Sequence, residues 1–144
     1  CGLGARDTLR TEMGYALHGQ DLSPDFSALE ARVGWAIAWD KPEIRGREAL
    51  LETKEAKPNR LLRGIRAIGR GIPRPGMTVQ SAQELELGTV TSGTFSPTLK
   101  EGIGLALLDR SVAVGDVVQV QVRARTEEFR VVTPPFVEPS VREH

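Results

Sequence analysis

The sequence has few of the residues that form disulfides, metal sites and nucleic-acid interfaces. Its 144 residues include one cysteine and two histidines, and 5% are aromatic. The single thiol, Cys1, cannot form an internal disulfide. One cysteine and two histidines also provide few of the side chains that usually bind metals, which argues against a metal site. The formal net charge is zero, which argues against a nucleic-acid partner because binding to phosphates needs a basic surface. The scarcity of aromatic residues argues against an extended base-stacking platform.

Long apolar runs are also absent. No stretch approaches the roughly 18 apolar residues of a membrane helix, and no signal-peptide pattern is present, so we predict a cytoplasmic protein with no membrane partner. The sequence begins at Cys1 rather than at a methionine, and we interpret it as a fragment of a longer protein. The chain is 40% hydrophobic and 26% charged, which is typical of a globular protein of one or two small domains.

The N-terminal region has the apolar spacing of a helix. Leu9, Met13 and Leu17 fall on one stripe, which predicts a helix over residues 5–18 that ends near Gly19. A glycine inside a helix costs about 1 kcal/mol relative to alanine. Gly14 therefore indicates close packing against a neighbouring element.

The next region mixes two patterns. From Val33 to Trp39 every second residue is apolar, which predicts a strand with a packed face. The alternative is that Trp35 and Trp39 line a pocket for a flat ligand. Residues 45–54 have the composition of a short helix, and the charged, proline-containing residues 54–60 are typical of a linker.

After residue 60 the pattern becomes that of a β protein. Short apolar or alternating runs are separated by turn signals, which predicts a small barrel or sandwich. The predicted strands cover residues 61–68, 77–80, 85–94, 103–108, 117–123 and 128–133.

No catalytic constellation stands out by spacing. Ser92 lacks the flanking glycines of a nucleophile elbow. His18 and His144 are isolated, and we interpret both as structural or solvent-exposed. The segment Gly69–Gly71 lacks the strand-to-helix context of a phosphate-binding loop, so we predict a turn there. We therefore predict no catalytic residue and no metal ligand in this chain.

Two charged positions carry more information. Asp7, near the start of the predicted helix, can complement the helix dipole. Arg6 presents a planar guanidinium that can bind a carboxylate through two hydrogen bonds. Residue chemistry leaves both a surface salt bridge and a ligand contact open for Arg6. Arg142 has the context of a solvated tail residue, and Phe136 is expected to anchor the C-terminal tail.

Several blocks of sequence, in order, resemble one known family. They are Gly2–Arg10, Gly34–Trp35, Gly46–Leu50, Gly88–Leu99 and Pro135–Val137. In their order and spacing, these blocks resemble the C-terminal part of proteins of the glycine-cleavage T-protein family. The members of this family are tetrahydrofolate-dependent aminomethyltransferases. The block Gly88–Leu99, which reads as strand and turn, is the most recognisable of them.

The resemblance implies an α+β fold in two parts. Residues 1–57 would be a short helical and strand segment from the end of a folate-binding body. Residues 58–144 would be a C-terminal antiparallel β-barrel of about six strands. In this family an aminomethyl group arrives on the dihydrolipoyl arm of a carrier (H) protein, tetrahydrofolate accepts the one-carbon unit, and ammonia leaves.

The resemblance also implies site residues. In the family the arginine of the Ala-Arg-Asp motif contacts the folate, which here is Arg6, and a residue near the C-terminus approaches it, for which Arg142 is the candidate. The family's catalytic aspartate lies in the body before this segment. We therefore expect that this chain alone neither catalyses transfer nor binds folate tightly, and that its partners are tetrahydrofolate, the carrier protein and the missing N-terminal body.

Two other functions stay open at this point. One is a relative on the same fold, either a folate-dependent demethylase or the folate domain of a sarcosine or dimethylglycine oxidoreductase. The other is a non-catalytic barrel that binds a protein partner.

Overall fold

The computed structural model describes residues 2–139. Two α-helices, one 3-10 helix and six strands lie in this range. In chain order they are α1 (Leu3–Glu12), the 3-10 helix (Gly34–Ala36), α2 (Arg47–Ala56), β1 (Arg60–Ala67), β2 (Thr78–Gln80), β3 (Glu86–Ser96), β4 (Glu101–Asp109), β5 (Val117–Val122) and β6 (Arg125–Val132).

The six strands form a closed barrel in the order β1-β4-β3-β2-β5-β6. Every pairing is antiparallel, so the predicted small antiparallel barrel is confirmed. Side chains along each strand point alternately into the barrel and out of it. On β5, for example, Val118 and Val120 are buried while Gln121 is exposed. Closure pairs every edge strand, which removes the edges that invite aggregation.

The main core fills the barrel interior. Its largest member is Phe129 on β6, which is fully buried. Aliphatic residues from β6 itself and from the other strands surround it: Ile65, Ala67, Val79, Val90, Ala106, Leu108, Val118, Val120 and Val131. Most of these side chains are β-branched, and branched side chains pack well on a pleated surface.

Strand β4 is buried on both faces from Gly102 to Leu108. Its outer face is covered by the N-terminal segment, because α1 packs on β3 and β4. A backbone hydrogen bond of 2.7 Å from Leu62 N to Glu30 O joins the same segment to β1. The N-terminal third of the chain is therefore an outer layer on one side of the barrel.

The first helix is shorter than predicted. It ends in a Schellman motif, with Tyr15 N donating to Arg10 O at 2.8 Å and Gly14 N donating to Thr11 O at 2.9 Å. Gly14 rather than Gly19 provides the left-handed residue, with φ +71. The prediction that the helix reaches residue 18 is wrong, and Leu9 of the predicted stripe is 58% exposed.

The close packing predicted at Gly14 is confirmed. A Cβ added there would lie 2.2 Å from Cβ of Pro134. The C-terminal tail therefore crosses the end of α1 at a position where only glycine leaves room. Pro134 and Pro135 are joined by a cis peptide bond.

The strand predicted from Val33 to Trp39 is wrong. Gly34–Ala36 forms a 3-10 helix, and Trp35 is 84% exposed. Trp39 is half-buried, its Nε1 donates to Gly34 O at 2.9 Å, and the Lys54 ammonium lies 4.4 Å from its ring centroid. Residues 33–39 pair with no other strand, and the first strand of the sheet among residues 2–139 is β1.

The short helix predicted over residues 45–54 is confirmed as α2. It continues to Ala56 and β1 begins at Arg60, so the connection between them is residues 57–59 and the predicted linker began too early. The division into domains at residues 1–57 and 58–144 stays a prediction. In the range that the structure describes, neither helix is long and apolar enough to cross a membrane.

Candidate functional site at the junction of α1 and β3

Helix α1 lies against β3, and polar side chains meet along their line of contact, which we call the polar seam. Thr8 Oγ1 lies 3.2 Å from Thr94 Oγ1, within hydrogen-bond distance. Two residues further along the helix, Arg10 Nη1 donates to Ser92 Oγ at 2.8 Å. These bonds join residues more than 80 positions apart in the sequence, so the seam holds the outer layer on the barrel.

Arg10 is the centre of the seam. Its Nε donates to Asp7 Oδ1 at 2.8 Å and its Nη1 to Asp21 Oδ2 at 2.7 Å. Asp21 is fully buried and the Arg10 side chain is 10% exposed. A buried charge is tolerated when it is paired and hydrogen-bonded. The guanidinium and the Asp21 carboxylate satisfy this requirement for each other.

A β-bulge lets two consecutive residues of β3 reach the same carboxylate. The register shifts between Val90 and Ser92, which leaves Thr91 as the extra residue. Thr91 Oγ1 donates to Asp21 Oδ1 at 2.5 Å, and Ser92 Oγ lies 2.7 Å from Asp21 Oδ2. In a regular strand these neighbours would point to opposite faces. The bulge therefore builds the hydroxyl pair that surrounds Asp21.

At the C-terminal end of α1, the polar seam also binds the C-terminal tail. Glu12 is 4% exposed, and Ser96 Oγ donates to its Oε1 at 2.5 Å. The Glu12 carbonyl oxygen accepts a hydrogen bond of 2.8 Å from Phe136 N. The Phe136 ring packs against β1, with its Cζ 3.0 Å from the position a Cβ would take at Gly64. The predicted anchoring role of Phe136 is confirmed.

The polar seam has a structural role and is not a reaction centre. Ser92 is fully buried, and its hydroxyl is bonded to both Asp21 and Arg10. A hydroxyl held between a carboxylate and a guanidinium in this way is not free to attack a substrate. The hydroxyl groups of Thr91, Ser92 and Thr94 on β3 therefore attach the helix and the loop that follows it to the barrel.

Arg6 lies on α1 one turn before Arg10, and it is exposed. Among residues 2–139 its side chain makes no hydrogen bond or ion pair, so the salt bridge weighed for it from the sequence has no described partner. Leu3 and Leu9 on the same helix are 79% and 58% exposed. Together they form a partly apolar surface around a guanidinium that is open to a ligand. Arg142 lies outside the described residues.

Asp7 has a different role from the one predicted. Because α1 begins at Leu3, Asp7 lies in the second turn, and the first turn has no acidic residue. Asp7 instead forms an ion pair with Arg10, three residues later. The prediction that Asp7 complements the helix dipole is wrong.

Sequence reasoning missed the residues at the centre of the seam. The sequence patterns assigned no role to Arg10 or to Asp21. A signal was present, since a strand rich in Ser and Thr among buried residues needs polar partners. The residues that supply them come from a helix and a loop far away in the sequence, and only the folded chain reveals the match.

Comparison with known proteins agrees with this architecture. The profile of the glycine cleavage T-protein C-terminal barrel domain matches residues 60–138, and that of the GCVT N-terminal domain matches residues 1–41. An aminomethyltransferase of Parafrankia sp. is 64% identical over 142 residues, and one of Frankia alni is 62% identical over 136 residues. These matches cover 99% and 94% of this chain but 39% and 37% of the relatives.

A solved structure matches as well. The crystal structure of glycine cleavage system aminomethyltransferase T from Bartonella henselae superposes with a TM-score of 0.89 and 31% identity, over 94% of this chain and 39% of that one. The chain thus spans about two fifths of the length of these relatives. The matched barrel domain covers more than half of it, and the chain belongs to the glycine cleavage T-protein family.

Proposed function

We propose that this chain is the C-terminal part of an aminomethyltransferase, which moves a one-carbon unit from an aminomethyl group on a dihydrolipoyl carrier protein to tetrahydrofolate and releases ammonia. The observation that carries the proposal is 62–64% identity, over nearly the whole chain, to proteins named aminomethyltransferase. Nothing comparable favours a demethylase, an oxidoreductase folate domain or a non-catalytic barrel.

The residue that we assign to folate is Arg6. Folate carries carboxylates and a polar heterocyclic edge, and a guanidinium binds such groups through paired hydrogen bonds. The exposed Arg6 side chain, free of partners among the described residues, fits this role. Arg10, one turn away, is already bonded to Asp7, Asp21 and Ser92, so it supports the helix rather than binding the ligand.

The polar seam gives this assignment a physical basis. A binding group is effective when its backbone is held rigidly, because less freedom is then lost on binding. The bonds from Thr8 and Arg10 to β3 hold α1 on the barrel, and Arg6 extends from the same helix. We infer that the barrel serves to hold Arg6 in position for a ligand that is bound mostly elsewhere.

The catalytic group is assigned to the part of the enzyme that this chain does not include. Tetrahydrofolate supplies the nitrogen atoms that accept the one-carbon unit. The role of this chain is to bind and orient it through Arg6, with Arg142 as a second candidate. We propose the lipoylated carrier protein and the N-terminal body as partners. The cytoplasmic location stays a prediction.

The proposal is tested by calorimetric titration of tetrahydrofolate into this chain and into its full-length parent. We expect saturable binding to the parent and weak or undetectable binding to the chain. Binding to neither would overturn the folate assignment in favour of a non-folate interaction module. Equal binding to both would mean that the pocket lies within this chain, against the proposal that it is built mostly elsewhere.

A further inference from the structure

A second surface feature lies between the segment that follows β1 and the hairpin joining β5 to β6. It is an open cleft of about 570 Å³, which we call the arginine cleft. This volume is within the range of pockets that hold small molecules. Its lining residues are Arg70, Gly71, Ile72, Arg74, Met77, Val122, Arg123, Ala124, Arg125 and Glu127.

The cleft concentrates positive charge in a chain whose formal net charge is zero. Four arginines line it, against one carboxylate. Across residues 2–139, no salt bridge pairs any of the four with an acidic side chain. Arg74 makes one long contact, of 3.5 Å, to the Gly93 carbonyl oxygen. Because guanidinium groups stay charged at all physiological pH values, the cleft carries a lasting excess of positive charge.

Both walls of the cleft are attached to the barrel. Ile68 N donates to Glu128 O at 3.0 Å, which joins the first wall to β6. Gly71 is buried, and a Cβ there would lie 2.9 Å from Cβ of Glu127. Packing this close fixes the spacing of the two walls. The turn Gly69–Gly71, for which the sequence suggested no function, is therefore one wall of a preformed cleft.

The floor of the cleft is apolar. Met77 and Val122 are half-buried and pack against the barrel core, and Ile72 lies between the arginines in sequence. A ligand that matched this surface would have charged groups for the rim and a compact apolar body for the floor. Guanidinium groups bind carboxylates and phosphates in the same two-pronged way, so both kinds of anion match the rim.

We propose that the arginine cleft binds a small anion that carries two or more carboxylate or phosphate groups. Arg6 does not line this cleft, and the proposal does not depend on the proposed transfer reaction. Glu127 sets a limit on binding, because its carboxylate lies beside the Gly69–Gly71 wall and repels an anion on that side of the cleft.

The test is calorimetric titration of the 144-residue chain with citrate and, separately, with pyrophosphate, at constant ionic strength. The double variant R70Q/R123Q removes two charges from the cleft. The matched control, R110Q/R130Q, removes the same charge from two exposed arginines that do not line it. We expect saturable binding that weakens about tenfold or more in the cleft variant and less than about twofold in the control. The tighter probe identifies the preferred anion class.

A third variant, E127Q, tests whether the weaker binding of the double variant is caused by misfolding. It removes the one negative charge of the cleft, and we expect tighter binding of both probes with an unchanged circular dichroism spectrum. Equal weakening in the two double variants would mean that only net charge matters and would overturn the proposal. The absence of saturable binding to the unaltered chain would overturn it too.

Discussion

The Asp21 carboxylate, fully buried, accepts a hydrogen bond of 2.7 Å from Arg10 Nη1. Asp21 belongs to the loop after the first helix, and Arg10 belongs to the helix itself. Ser92 on β3 bonds to both. Helix, loop and strand therefore meet at one pair of opposite charges, and this pair is one of the contacts that attach the N-terminal segment to the barrel.

Replacing Arg10 with alanine should destabilise the chain by about 2–4 kcal/mol, because it leaves the Asp21 carboxylate buried without its counter-ion. The loss is smaller than the largest values for buried pairs, since Thr91 and Ser92 still donate to Asp21. Urea unfolding of the 144-residue chain measures it. The control is Arg6→Ala, an exposed position on the same helix, which should change stability by less than about 0.5 kcal/mol. Equal effects of the two variants would contradict the central role of Arg10.

Arg6 should matter for binding rather than for folding. In the full-length parent, Arg6→Ala should weaken tetrahydrofolate binding by about 1–3 kcal/mol, as expected for the loss of a charged hydrogen bond. Calorimetry measures the dissociation constant, with Arg110→Ala as the control at an exposed arginine. An unchanged constant for the Arg6 variant would reject its assignment to the folate.

Replacing glycine with alanine should change the stability of the chain in opposite directions at two positions. A Cβ at Gly93, on β3, would lie 2.2 Å from the backbone oxygen of Pro73, so Gly93→Ala should cost about 1–3 kcal/mol through overpacking. At Gly4, in α1, no atom lies within 4 Å of the added Cβ. Gly4→Ala should therefore stabilise the chain by about 0.4–1 kcal/mol. Thermal unfolding of both variants provides the check, and destabilisation by Gly4→Ala would be inconsistent with an open position.

The ion pair of Arg66 and Glu101 should make stability depend on pH. The two residues lie on β1 and β4, and Arg66 Nη2 donates to Glu101 Oε1 at 3.1 Å. This hydrogen bonding holds the pKa of Glu101 below its ordinary value of 4.5. A lowered folded-state pKa adds stability above the unfolded-state value, and that stability is lost as the pH falls through the folded-state value.

We therefore expect Arg66→Gln to be less stable than the unaltered chain near neutral pH, by about 0.2–1 kcal/mol because the pair is partly solvent-exposed. The difference should shrink as the pH falls below 4.5. Urea unfolding of both proteins across this range tests the sign. A difference that grew with acidity would show that another group is responsible.

The two tryptophans should differ in their access to solvent. Trp35 is 84% exposed, whereas Trp39 is half-buried and donates to Gly34 O. Iodide should therefore quench the fluorescence of the Trp39→Phe variant, which keeps Trp35, more strongly than that of the Trp35→Phe variant. The reverse order would favour the packed strand face that the sequence pattern suggested.

Local patterns predicted the barrel well. Five of its strands were expected within about two residues of their observed limits, as at Val117–Val122, where apolar and polar residues alternate. In a small barrel every strand has one face inside, so alternation reflects the fold directly. Glycine or proline marked the turns after β1, β3 and β4.

The outer layer was predicted less well. The pattern from Val33 to Trp39 resembles a strand, yet an alternating segment becomes a strand only if another edge is free to pair with it, and closure of the barrel leaves no such edge. The stripe through Leu9 and Leu17 suggested a longer helix, but a Schellman motif at Gly14 ends it early, and a side chain at this position would clash with Pro134. A contact across 120 residues is invisible to any local window.

The sequence by itself determined the six-stranded barrel, the α2 helix and the family resemblance, because each follows from patterns within a few consecutive residues or from ordered blocks along the chain. Only the tertiary structure decided which of two arginines is held in hydrogen bonds at the barrel and which is exposed. Arg6 and Arg10 are the same residue type one helical turn apart. Arg10 meets Asp21 and Ser92, and Arg6 meets solvent, because the helix lies on β3 in one orientation that no segment specifies alone.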